Sequence, residues 1–458
     1  MNSLRTGTVS CRSRPGSQPS SLPARSTCDG GPGGANAASA PAKRVAPLED
    51  HRGLAITGAS GAALDAFEDA LTLFQRWRTG AESGVQRAAS IAPDFAMAHV
   101  LDAYLHLCSR DPARVRGAWP SYDRLLRLRT NEREQLHVAA IGAALGDNYE
   151  QAKRWLGVLL REHPRDVLAL QVAHALDYVT GDLERMGDRV ATVLPAWSAA
   201  DRGYTAVLAM HAFSLVERAD YERPLDVGLH VLDLDPHDAR AHHAIAHVHE
   251  MTEQPARGVR WLGDRAAFWS TGTVVATHCW WHLALFHLAL GESREALALY
   301  DARVRSGGLR ELADLVDAAA LLWRLELVGD SDAGRWREVA SAWARHADDG
   351  FCSFNDIHAM LALVGARDWP RAQALERTLQ RRQALPTRHG ETTRLVGLPA
   401  CRGILAHGRG DFAGAVELLG SLPARVARIG GSHAQRDVLY LTLMQAIGQL
   451  RRPLARAA

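Results

Sequence analysis

From residue 46 onward, Ala, Leu, Arg and Glu fill segments of about 10 to 18 residues whose apolar positions recur with the 3.6-residue period of a helix. Gly-Asp, Asp-Pro and similar turns separate the segments. No run of alternating β-branched residues competes with this pattern, so it predicts an all-α chain without a sheet.

The turns themselves recur. Tyr149 stands 15 residues before Pro164, and Tyr221 stands 15 before Pro236. Pro93, Pro164 and Pro236 are 71 and 72 residues apart, about twice the 34-residue tetratricopeptide period. A Gly followed five residues later by Ala, as at Gly291/Ala296 and Gly410/Ala415, marks further hairpins. In such a unit Gly ends the first helix, the aromatic wedges into the hairpin, the small Ala lets two helices approach, and Pro closes the second. The pattern predicts one right-handed superhelical solenoid of helix pairs, built from degenerate tetratricopeptide-like repeats, over residues 46–458. A globular all-α bundle is the alternative.

Length does not divide the chain, because a repeat array grows without splitting: each unit touches only its neighbours. Charge is balanced at +2, with 53 Lys+Arg against 51 Asp+Glu, and no basic run carries interleaved aromatics, so no nucleic-acid partner is expected. Six cysteines (11, 28, 108, 279, 352 and 401) lie far apart without a Cys-x-x-Cys pair, which fits reduced thiols and a cytoplasmic location. Residues 1–45, rich in Ser, Pro, Gly, Ala and Arg, lack an apolar run of signal-peptide length and are expected to be a disordered tail. An organellar transit peptide, without its amphipathic helix, or a start assigned too early are the alternatives there. Residues 266–291 contain no Asp, Glu, Lys or Arg, but their three histidines would be costly in hydrocarbon. A buried helix is expected in that stretch rather than a membrane span.

Candidate chemistry concentrates between His237 and His287, which hold eight of the 21 histidines. His243, His247 and Glu250 fall at i, i+4 and i+7, and His278 and His282 at i, i+4, so each set shares one helix face. The turn register makes 241–252 and 274–290 first helices, the inner wall of such an array, with 255–267 the second helix between them. Both faces are then expected to meet in one groove. Two His-x-x-x-His faces and a carboxylate match a zinc, manganese or iron site, with His243, His247, His278 and His282 as ligands. A divalent transition metal is the one cofactor this pattern points to. No His-Glu-x-x-His occurs, since His249-Glu250-Met251-Thr252 runs on into Glu253, and no Glu-x-x-His pair of a di-iron bundle lies in these helices. Histidines hydrogen-bonded inside a packed array, or a metal-free ligand-binding or catalytic cluster, are the other readings.

Two further polar groups are expected on the same inner surface. Ser432 and Gln435, after Gly430-Gly431, form a capping box. His433, Arg436 and Asp437 follow it, where the first N–H groups and Arg436 suit an anion and where His433 and Asp437 are i, i+4 partners; a salt bridge holding the last repeat is the alternative. Asn355, Asp356 and His358 open another first-type helix, a place where Asn or Asp is ordinarily a cap. Trp155, Trp261, Trp323 and Trp336 read as core, while Trp280 and Trp281 cannot share a face. Gly58-Ala59-Ser60-Gly61 is no nucleophile elbow, and Ser60 reads as a helix cap.

Five stretches resemble the tetratricopeptide repeat protein 38 family: His243–Met251, Trp280–His287, Asp317–Leu325, Asn355–Met360 and Ile429–Asp437, the last reading Ile-Gly-Gly-Ser-His-Ala-Gln-Arg-Asp. The likeness runs in family order over roughly residues 48–448. It implies a soluble tetratricopeptide-like helical-repeat protein and brings no catalytic residue with it. Two functions stay open. One is a binding or scaffold protein whose polar, His-rich concave groove takes a peptide or small ligand. The other is a small-molecule enzyme or sensor, metal-dependent or not, built on the clustered His, Glu, Asp and Arg.

Deleting residues 1–45 is expected to leave the thermal unfolding midpoint unchanged, because so polar a segment cannot bury enough apolar surface to offset its ordering entropy. A fall of more than about 4 °C in calorimetry would show that the tail docks.

Overall fold

The computed structural model describes residues 48–330, 332–346 and 349–451. The tail expected over 1–45, with Cys11 and Cys28, lies outside them. The described residues form an all-α solenoid of helix pairs, and their β pairings are two isolated bridges, Glu49 with Ala55 and Arg78 with Thr273. Successive pairs include Glu132–Leu145 with Tyr149–Glu162, Val167–Val179 with Leu183–Val193, and Tyr204–Glu217 with Arg223–Leu234. Ala239–Met251 with Pro255–Asp264, Ala276–Ala289 with Ser293–Leu299, Leu312–Val328 with Ala333–Trp343, and Ser353–Gly365 with Trp369–Arg382 follow. Leu398–Gly408 with Phe412–Gly420 precedes the last helix, His433–Arg451. The buried helix expected over 266–291 is two helices, Ala266–Trp269 and Ala276–Ala289, and no helix among the described residues is long and apolar enough to cross a membrane.

Each hairpin is made by one backbone device. A left-handed residue ends the first helix at Asp147, Gly181, Ala219, Glu253, Gly291, Gly329, Arg367 and Gly410. The next residue donates its N–H to the carbonyl five positions back, as Asn148 does to Ala143, Asp182 to Asp177 and Asp411 to Ala406. This is the Schellman closure, which satisfies carbonyls that the helix end leaves free. The left-handed positions are 34, 38, 34, 38, 38, 38 and 43 residues apart, so they carry the repeat. Glycine is not required there; the residue after each is Asp, Asn, Glu or Gln, which explains why a Gly-to-Ala rule finds only some of the units. Ala152, Ala296, Ala372 and Ala415, five residues past the left-handed position, are fully buried where the paired helices cross. Ser60 caps the Gly61–Gln75 helix, accepting from Ala63 N.

Burial differs sharply between the two helices of a pair. Arg223–Leu234 buries only Pro224, Gly228 and Val231, and Pro255–Asp264 buries Gly258, Trp261 and Leu262, one stripe each. The first helices are covered on all sides: Ala239 through His249 and Ser353 through Val364 are buried without a break. First helices pack on first helices along the array, which accounts for two flanks. Chain-distant segments cover the remaining, inner face. The turn after the first described helix lies against 272–274, with Val274 N donating to Trp77 O at 2.9 Å and Thr79 N to Gly272 O at 3.0 Å. Asn355 Nδ2 donates to the Arg110 carbonyl at 2.8 Å, and Arg388 donates to the Thr180 carbonyl at 3.1 Å. The last helix is held by Tyr178 OH donating to Gln435 Oε1 at 3.0 Å and Trp323 Nε1 donating to Thr442 Oγ1 at 2.8 Å. The inner side is therefore closed by the protein itself over much of its length.

Gly181 tests this closure, because a Cβ there would stand 1.8 Å from the carbonyl oxygen of Ala427 at a φ of +68°. Gly181→Ala is expected to destabilise by at least ~2 kcal/mol, since backbone must shift as well as strain. Gly291→Ala, with a φ of +78° and nothing within 4 Å, should cost only the conformational ~1 kcal/mol. Equal losses in urea unfolding would show that the 427–431 segment does not press on the 178–181 turn.

Candidate functional site

The Ala239–Met251 helix starts at Asp238, whose side chain accepts from Ala241 N at 2.9 Å. Ala241, Ala244 and Ala246 keep the neighbouring helices close, and His243 and His247 project toward the Ala276–Ala289 helix. There they meet His278 and His282. Ring centroids are 4.4 Å apart for His247 and His282, 5.0 Å for His243 and His278, and 5.3 Å for His243 and His282. One nitrogen from each of the four rings lies within 4.8 Å of all the others. His243 Nε2 faces His247 Nε2 at 3.0 Å.

Two carboxylates hold this cluster from behind. Glu250 meets His282 Nδ1 at 2.8 Å, and both oxygens of Asp317 meet His278 Nδ1 at 3.0 Å. A carboxylate on Nδ1 keeps the proton there and leaves the Nε2 lone pair free, the arrangement that orients metal-binding histidines. His282 Nε2 and the Nδ1 atoms of His243 and His247 are buried and have no partner. An unpartnered buried polar atom costs about 1–3 kcal/mol, so a cluster with three of them is expensive to maintain without something to bind. Burial, and then the neighbouring imidazoles, holds His243 well below its ordinary pKa. Burial likewise pushes His247 and His282 well down, so these rings are neutral and their lone pairs available at neutral pH. Burial also raises the Glu250 carboxyl to about 7, against the opposing pull of Arg324 and His278.

The walls are aromatic. Trp281 stacks on His278 at 5.1 Å, Phe213 on His243 at 5.6 Å, and Trp77 approaches His243 at 5.6 Å. Trp281 thus borders the cluster, while Trp280 turns outward onto Trp269. The side chains of His278 and Glu250 remain 17% and 18% accessible, so the cluster is in reach of solvent at that edge.

The other expected site residues are placed differently. Ser432 and Gln435 form the capping box, with Gln435 N donating to Ser432 Oγ at 3.3 Å and Ser432 N to Gln435 Oε1 at 3.1 Å. His433 and Asp437 are not partners: His433 Nδ1 meets Glu217 at 3.1 Å, and Asp437 pairs with Arg324. The anion at this helix start is internal, because Glu217 takes His433 N at 3.4 Å and lies 3.5 Å from Arg436. The His433, Arg436 and Asp437 set therefore bolts the last helix to the array and forms a layer behind Glu250 and Arg324. Asp356 does not reach the cluster. Burial raises its carboxyl well above the ordinary range, and the charges it senses are Asp349 and Arg382, none of the four histidines among them. Neither it nor Asn355 caps the helix, whose N-cap is Cys352. His358 Nδ1 is bound to the Phe354 carbonyl at 2.7 Å and makes no contact with the four histidines. Of the remaining clustered histidines, His242 meets the Pro236 carbonyl and His287 meets Glu292.

Asp317, Arg324, Glu217 and Trp77 are parts of the site that periodicity did not single out. A signal existed for three of them. Asp317 and Arg324, seven apart, are the charges in an otherwise apolar run, and Glu217 closes a helix of thirteen uncharged residues. Trp77 enters from a turn about 160 residues away, which no local pattern announces.

No protein-family model matches the chain. Among solved structures it is similar to yeast Tom70, at 9% identity and a TM-score of 0.42 over 81% of this chain and 85% of that one. It is also similar to Cut9 in the APC/C hetero-tetramer Cut9-Hcn1, at 13% identity and 0.45 over 86% and 74%. The P58(IPK) TPR domain matches at 14% identity and 0.17 over 86% and 100%. Likenesses this distant carry nothing further, and the tetratricopeptide-like architecture rests on the repeated hairpins themselves.

Burial would raise the Glu217 carboxyl, but the hydrogen bond from His433 and the nearby His247 and Arg436 hold it below its usual 4.5. A depressed carboxyl stabilises the fold fully above its unfolded value and loses that contribution as pH falls through the folded one. Glu217→Gln is expected to cost roughly 3 kcal/mol at pH 7, since it strands Arg436. The gap between variant and wild type should narrow as pH falls below about 4.5, measured by urea unfolding; a gap constant with pH would remove Glu217 as the clamp.

Proposed function

We propose that this chain is a tetratricopeptide-like helical-repeat binding protein whose inner surface holds a divalent transition-metal ion between His243, His247, His278 and His282. The observation that carries this reading is the convergence of four imidazole nitrogens within 4.8 Å, two of the rings being held from behind by carboxylates. Four imidazoles and a buried setting suit zinc or iron better than manganese, which prefers oxygen. Zinc–nitrogen bonds of about 2.0–2.1 Å in a tetrahedron would set the nitrogens about 3.3 Å apart, so the most separated of them, at up to 4.8 Å, would close by roughly an ångström or more. Glu250 and Asp317 would orient His282 and His278 from the second layer.

A small ligand at this compact site fits the closed inner face better than a peptide laid along it. The solenoid still offers its outer helices and hairpin turns to protein partners. Membership of the tetratricopeptide repeat protein 38 family belongs to the same reading: four of the five stretches that carry the resemblance, 243–251, 280–287, 317–325 and 429–437, supply all of the site except His278, Glu217, Trp77 and Phe213. A small-molecule enzyme or sensor is the second reading, favoured by the accessible edges of His278 and Glu250.

Full-length protein made without a His-tag is expected to contain or take up about one zinc or iron ion per chain, by elemental analysis and chelator competition. His247→Ala with His282→Ala should abolish uptake, and the single variants should combine non-additively. Glu250→Gln and Asp317→Asn should each weaken affinity by roughly 10–100-fold. Wild-type uptake in the double variant, or no uptake by wild type at micromolar zinc or iron, would overturn the metal reading.

A further inference from the structure

Among the described residues six Lys or Arg side chains are buried: Arg52, Arg133, Lys153, Arg240, Arg324 and Arg436. Five have a carboxylate within ion-pair distance. Arg52 pairs with Glu68 at 2.6 Å, Arg133 with Asp166 at 2.6 Å, Lys153 with Glu150 at 2.8 Å, Arg324 with Asp437, and Arg436 with Glu217 at 3.5 Å. Arg240 is the exception. It is 3% exposed, its Nε has no partner, and no ion pair or hydrogen bond of its guanidinium occurs among the described residues. Asp238, two residues before it, is the carboxylate whose charge it senses, but Asp238 makes no ion pair with it: one oxygen serves the helix N-cap and the other has no hydrogen-bond partner.

A guanidinium cannot shed its proton to escape burial, and an unpaired buried charge costs several kcal/mol. What Arg240 does contact is the Trp77 ring, with its guanidinium carbon 4.5 Å from the centroid. His243, one helical turn along, has its ring 5.6 Å from the same tryptophan. An unpaired cation and a histidine of the cluster thus share one aromatic wall. Arg324 and Arg436 are unsuited to a ligand because their own acids occupy them.

We propose that Arg240 is an anion anchor of the histidine site, so that the ligand of this protein is a small oxyanion, a carboxylate or phosphate group, paired with Arg240 beside the four imidazoles. A planar guanidinium with free N–H donors matches both groups, and both are also ligands that a metal ion accepts. This deepens the metal reading but does not need it, since the pairing with Arg240 stands with or without an ion.

The experiment compares full-length wild type, Arg240→Met and the His247→Ala/His282→Ala double variant in thermal unfolding, with acetate or inorganic phosphate titrated at constant ionic strength against chloride. Saturable binding to the folded state raises the midpoint with anion concentration. Wild type is expected to respond to at least one of the two anions, and the apparent affinity should fall roughly tenfold or more in Arg240→Met. The acetate and phosphate arms tell the two ligand groups apart. Without anion, Arg240→Met should be as stable as wild type or more so, because an unpaired charge is replaced by an apolar chain of similar length. A response retained by the histidine double variant that takes up no metal keeps the anchor and separates it from the ion. Identical responses in wild type and Arg240→Met, no saturable response in wild type, or a destabilised Arg240→Met would each overturn the proposal.

Discussion

A helix covered on every side cannot leave its polar groups to water, and the inner helices of this solenoid carry many of them. His243, His247, His282, Arg240, Asp317, Arg324 and Glu217 all sit on such helices and are all buried. Neighbouring inner helices supply some partners, Glu250 to His282 and Asp317 to His278. Others come from distant parts of the chain: the Trp77 turn from the N-terminal side, and the last helix, through His433, Arg436 and Asp437, from the C-terminal side. Closure of the inner surface and satisfaction of its charges are therefore one physical event.

The same constraint explains why the paired helices differ so much. Outer helices such as Pro255–Asp264 bury one stripe and face solvent with the rest, as amphipathic surface helices do. Inner helices have almost no solvent face, so the polar residues they admit stand out chemically. Arg133 with Asp166 and His137, or Lys153 with Asp177, Asp182 and Glu150, are matched internally and act as structural clamps. The four-histidine cluster and Arg240 are not matched in this way. They are where the interior keeps unspent donors and acceptors, and that difference separates a candidate site from the ordinary polar core.

The cluster and the clamp of the last helix are also joined electrostatically. Glu250 senses Arg324 and Glu217, and Asp437 senses both Arg324 and Glu250. Arg324 is thus a charge neighbour of both Glu250, behind the cluster, and Asp437, on the helix it docks.

Local chemistry determined much of this protein. The 3.6-residue period, the recurring turns and the absence of β-branched alternation fix an all-α array of hairpins, because helix formation and the Schellman turn depend on residues within five positions of one another. The i, i+4 spacing likewise put His243 with His247 and His278 with His282 on single faces, and the turn register set both helices in the same row. Tertiary structure decided the rest. Whether Asp356 joined the cluster depended on which flank of its helix met a neighbour, and the charges it senses are Asp349 and Arg382 instead. Whether His433 bound Asp437 or Glu217 depended on where a helix 216 residues away was seated. Asp317, Trp77 and the solitary state of Arg240 follow from long-range packing, since a side chain's partner across the solenoid is set by the path of the whole chain and by no pattern inside one segment.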